Sequence, residues 1–128
     1  MRAMTPLAFS PPPVSAVPEE ARVLLKAARL WVMLARSGRS ARPPLAALLG
    51  PAASRFALFM DAVVVAWHDP FTTFPPCSCN ISPDEHCLLN MLALAEADME
   101  PQFHDCLHDM LPLPERDRLW KAATRLMA

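Results

Sequence analysis

The sequence predicts an all-α domain, a compact bundle of five to six helices with short, proline-marked connections. Three observations lead there. Apolar residues recur at helical spacing in most segments between residues 18 and 128. The chain has 15 prolines but only 2 glycines, and the prolines fall between the periodic segments, where they act as punctuation. Ser82-Pro83-Asp84-Glu85 combines a serine cap, a proline at the first helical position and a glutamate three residues after the cap. A chain of 128 residues, 53% of them apolar, is long enough for one core-forming domain.

The elements follow in order. Residues 1–17 lack periodicity and read as a flexible N-terminal arm, leaving 18–128 as a single helical domain. The first helix spans 18–37. Glu19 and Glu20 suit its positive end, Ala21, Leu24, Leu25, Ala28, Trp31, Val32 and Ala35 form its apolar face, and Arg36 with Gly38 stops it. A helix of about two turns follows Pro43 and Pro44, and Gly50-Pro51 ends it. Residues 52–68 place Phe56, Phe59, Met60, Val63 and Trp67 on one face. Their Val63-Val64-Val65 run favours a strand locally, but the flanking periodicity decides for a helix, expected to be the most buried of the set. Residues 69–81 contain three prolines and form a loop, which Phe71 and Phe74 pin to the core. The capped helix then runs to Ala97, with Cys87, Leu88, Met91, Leu92, Leu94 and Ala95 turned inward. Asp98 caps the next helix, 100–111, whose apolar face is Phe103, Cys106, Leu107 and Met110. A last helix from Pro114 uses Leu119, Ala122, Ala123 and Leu126.

Charge is divided unevenly behind a net value of −1. Residues 1–55 hold eight of the 12 Lys and Arg against two acids, whereas from Phe56 to Glu115 there are ten acids and no Lys or Arg. Such halves fit complementary faces within one fold or between subunits. The chain is not basic enough to make nucleic acid the expected partner. Arg36, Arg39 and Arg42 around Gly38 admit a phosphate or an acidic partner, or simply favourable charge at a helix C-terminus. No uncharged apolar run reaches the roughly 18 residues that a membrane helix needs, and no apolar leader segment opens the chain. A cytoplasmic protein with no membrane partner is the expectation.

One constellation bears on chemistry. Cys77 and Cys79 lie in the loop before the capped helix, His86 and Cys87 at that helix's start, and His104 and His108 four apart on the following helix. A short link makes these two helices antiparallel neighbours, which brings the loop thiols toward His86 and His108. Cys77, Cys79, His86 and His108 are therefore candidate zinc ligands, since thiolates and imidazoles are zinc's usual structural set. The Cys-x-Cys spacing restricts how both sulfurs reach one ion. Ordinary thiols with surface histidines, and a redox pair of Cys77 and Cys79 near a helix N-terminus, are the competing readings. Cys87 and Cys106 are accounted for as small core residues. No Gly-rich phosphate loop and no Gly-x-Ser-x-Gly occurs, so the enzyme templates built on them do not apply.

The stretch PCSCNISPDEHCLLNMLALAEADMEPQFHDCLHDMLP resembles a family of short alphaproteobacterial, sphingomonad-type helical proteins of unknown function. Cys77, Cys79, Asp84, Glu85, Leu88, Leu89 and His104 carry the likeness, which implies a bacterial cytoplasmic protein and supplies no activity. The functional expectation is a non-catalytic helical interaction or regulatory module that self-associates, with Trp31, Trp67 and Trp120 on apolar faces. The alternative is a small zinc-binding or thiol-redox protein using the Cys77/Cys79 loop.

Overall fold

Pro18 lacks an amide hydrogen and its backbone is extended, so it starts helix α1 (Glu19–Arg36) from the cap position. At the other end Gly38 takes φ 67°, the Gly38 amide donates to Ala35 O and the Arg39 amide to Leu34 O. This is the paired closure that satisfies the last carbonyls of a helix. The computed structural model describes residues 13–128, so the part of the expected arm in residues 1–12 lies outside the described residues. Pro13–Val17 lies along the loop before the capped helix: a single 3-10 turn, Val14–Ala16, donates the Val14 amide to Cys79 O at 2.8 Å.

The remaining helices are α2 (Arg42–Leu49), α3 (Ala53–Ala66), α4 (Pro83–Glu96), α5 (Glu100–Leu107) and α6 (Leu113–Met127). Among the described residues there is no strand, and the fold is an all-α bundle. Helix α6 packs against α3, α4 and α5, while α1 lies against α2, α3 and α4. The core these helices enclose includes the fully buried Phe56, Phe59, Met60, Leu88, Met91, Phe103, Leu107 and Leu119. Gly50 at φ 58° and the 3-10 turn Gly50–Ala52 break the apolar run between α2 and α3.

Three expectations are corrected. Helix α3 is not the most buried: it buries four of its 14 residues where α4 buries five of 14, because Leu58, Val64 and Val65 face outward. Asp98 does not cap α5. It adopts φ 55° and closes α4 in the way Gly38 closes α1, with its own amide on Ala95 O and the Met99 amide on Leu94 O. Aspartate tolerates this left-handed conformation better than most residues. Helix α5 ends at Leu107, so Leu111 is buried from the following turn and Met110 is exposed.

The capping box of α4 forms as the sequence indicates. The Glu85 amide donates to Ser82 Oγ at 3.0 Å and the Ser82 amide to Glu85 Oε1 at 2.8 Å. The Ser82 hydroxyl also donates to Thr72 O at 2.8 Å, so one fully buried serine ties loop to helix. Ser82→Ala removes both interactions, and urea denaturation is expected to show a loss of about 1–2 kcal/mol.

Candidate functional site

The loop of residues 69–81 cannot be helical, and its backbone groups need partners elsewhere. Two carboxylates in the first turn of α4 supply them. Asp84 accepts from the Thr72 amide at 2.8 Å and from Trp67 Nε1 at 3.3 Å. Glu85 accepts from the Phe74 amide at 3.0 Å. Trp67 meets Phe71 edge to face at 5.3 Å and holds that ring in the core. Phe74, expected to act as a second apolar pin, is only partly buried and contributes its backbone instead.

Glu85 is fully buried and sits opposite Arg29 of α1, which is 3% exposed. Arg29 Nε donates to Glu85 Oε2 at 2.8 Å and Nη2 to Oε1 at 3.1 Å. Two further guanidinium N–H groups, on Nη1 and Nη2, reach Ser78 O at 2.9 Å and Asn80 O at 2.7 Å, on either side of Cys79. Each Glu85 oxygen thus accepts one bond from Arg29 and one from a backbone amide. Full saturation of this kind is what lets an ion pair persist out of water. Sequence reasoning missed Arg29. Its signal was present: with Leu25 and Val32 it lies on the inward face of α1, where a charge requires a buried partner.

The structure fixes the loop backbone but leaves the Cys77 and Cys79 side chains exposed. Among the described residues, the group of His, Cys and carboxylate ligand atoms lying within 4.8 Å of one another is Glu100, His104 and Asp117. Cys77, Cys79, His86 and His108 are not brought together in this way. The physical reason is local. Helix α5 ends before His108, whose side chain is 70% exposed beside Asp109, while the Arg29 guanidinium holds the cysteine loop against α1.

Cys87 of α4 and Cys106 of α5 are both partly buried against the core and close enough to influence one another electrostatically. Burial, then the neighbouring Cys106 and Asp84, pushes the Cys87 thiol up to about 12. Burial also raises Cys106, partly offset by a hydrogen bond that the sulfur accepts from its own backbone amide and reinforced by Asp105. These thiols are protonated structural groups, whereas Cys77 and Cys79 are open to reagents. Searches against family models, curated proteins and solved structures returned no significant match to this chain.

The raised Cys87 thiol has a consequence for alkaline stability. Between its ordinary value of 9.0 and its folded value of about 12 the unfolded chain loses this proton and the native state keeps it. The Cys87 contribution to stability is then complete below pH 9.0 and is lost as pH rises toward 12. Denaturation across this range is expected to show a shallower decline in Cys87→Ala than in the parent. An equal decline in both would contradict the assignment.

Proposed function

We propose that this domain is a non-catalytic protein-interaction module that associates with a second copy of itself through the outward face of α3. One observation carries the reading. Leu58 and Val65, two turns apart on α3, are 62% and 80% exposed, while Phe56, Phe59, Met60 and Val63 of the same helix are fully buried. Asp61 and Ala62 continue the outward stripe between them. Large apolar side chains left exposed on one helix face, here set around the charged Asp61, mark interaction sites.

The surroundings favour a second copy. A groove of about 700 Å³ runs beside the stripe, with an apolar lining that includes Trp31, Leu45, Ala57 and Leu58 and with Arg42 and Asp61 among its charged members. On the other side, Asp61, Ala62 and Val65 share a shallow recess with Glu115 and Arg118. A two-fold axis that brings Arg42 of one chain to Asp61 of the other would make this surface, which carries both signs, self-complementary.

The run Arg42–Ala66 is also long and apolar, and little of it is buried. It is broken at Gly50, and α3 with 14 residues is about 21 Å long, short of a roughly 30 Å hydrocarbon layer. A protein partner therefore accounts for the surface better than a bilayer.

A second reading, a thiol role for Cys77 and Cys79, draws support from their exposure on a loop whose backbone is held by Arg29 and Val14.

Sedimentation velocity over a wide concentration range is expected to show a monomer–dimer equilibrium. Burying one leucine is worth about 1.5–3 kcal/mol. Leu58→Glu should therefore weaken association by about tenfold or more. Arg42→Asp should weaken it and Arg42→Asp with Asp61→Arg should restore it. A chain that stays monomeric throughout, or one that instead binds anionic vesicles through Leu58 and Val65, would overturn the reading.

A further inference from the structure

We propose that Glu100, His104 and Asp117 form a binding site for a divalent transition-metal ion, with zinc the best match. Glu100 and His104 lie one turn apart on α5, and Asp117 reaches them from α6. His104 Nε2 points between the two carboxylates, 3.5 Å from Glu100 Oε2 and 3.6 Å from Asp117 Oδ1. Those separations exceed the roughly 2.7–3.2 Å of a good N–H···O bond. They match the edge of a zinc tetrahedron, where ligands at about 2.0–2.2 Å from the ion stand about 3.4 Å apart. All three ligand atoms lie within 4.8 Å of one another, so a small rotation of either carboxylate closes the set.

The imidazole is the fixed member. Its side chain is only 15% exposed, and its ring stands edge-on to Phe103 at 6.0 Å. Phe103 in turn meets Trp120 at 5.1 Å. Both carboxylates are about half exposed, which gives an ion a route in and leaves its fourth position to water. One nitrogen and two carboxylate oxygens form a ligand set that zinc accepts.

The second imidazole nitrogen sets a limit on affinity. His104 Nδ1 is buried and has no hydrogen-bond partner. With the ion on Nε2, the imidazole proton must reside on Nδ1, where no acceptor meets it. Zinc should therefore bind about 10–100-fold more weakly than at a site whose histidine is supported by a carbonyl or carboxylate.

The test is a zinc titration against a chromophoric chelator, paired with cobalt(II) absorption in the visible range. The expected result is one ion per chain, with affinity falling at least about tenfold in Glu100→Gln and in Asp117→Asn. Both substitutions are at half-exposed positions, and far-UV circular dichroism checks that the helices persist. Zinc should raise the thermal midpoint of the parent and not of these variants, because binding would clamp α5 to α6. Cys77→Ser with Cys79→Ser should leave the titration unchanged. Absence of saturable binding would overturn the proposal. So would binding that survives both carboxylate substitutions, or binding that is lost with the cysteines.

Discussion

The buried pair of Arg29 and Glu85 is the constraint around which this fold is arranged. Removing an arginine and a glutamate from water costs several kcal/mol each, and the cost is offset only when every strong donor and acceptor is satisfied. Here the two side chains satisfy one another and four backbone groups besides: the amides of Phe74 and Ser82 and the carbonyls of Ser78 and Asn80. The pair also joins the two chemically different halves of the chain. Glu85 lies in a segment of 60 residues with no Lys or Arg, so its counter-charge had to come from elsewhere, and α1 provides it.

Several features follow from that pairing. A loop with three prolines and no regular structure is held against the bundle by hydrogen bonds to its backbone. The capping box of α4 is buried because its glutamate serves the cap and the arginine at once. Pro13–Val17 then has a fixed edge to lie along, and an isolated antiparallel bridge joins Pro13 to Asn80. Cys77 and Cys79 point outward from a backbone that is tied from beneath. The outward face of α3 instead leaves Leu58 and Val65 facing solvent.

Much of this was legible in the sequence. Helical spacing, proline placement, the glycine after α1 and the Ser82–Glu85 box each encode a local interaction, and local interactions are what periodicity and spacing report. What was missed depends on contacts between distant residues or on how a helix ends. Arg29 and Glu85 are 56 positions apart, and nothing in the spacing of either selects the other. Glu100 and His104 are an ordinary i,i+4 pair until the docking of α6 brings Asp117 alongside. The spacing of His104 and His108 puts both on one helical face only if α5 continues, and the helix stops one residue short of His108. Val63-Val64-Val65 was legible for the same reason as the caps: its stiffness favours a strand, but the helical spacing of Phe56, Phe59, Met60 and Val63 decides for the helix that forms.

A double-mutant cycle on Arg29→Met and Glu85→Gln tests the organising role of the pair most directly. Glutamine keeps one acceptor oxygen for the Ser82 amide but turns its NH2 toward the Phe74 amide, a loss shared by the Glu85→Gln single and double variants that therefore cancels from the coupling. Each single substitution is expected to cost about 3–5 kcal/mol in urea denaturation, because each leaves the partner's charge buried and uncompensated. The double variant should lose about 2–3 kcal/mol less than the two single losses combined. Strictly additive losses would contradict the account, since they would mean that Arg29 and Glu85 stabilise the fold independently of one another.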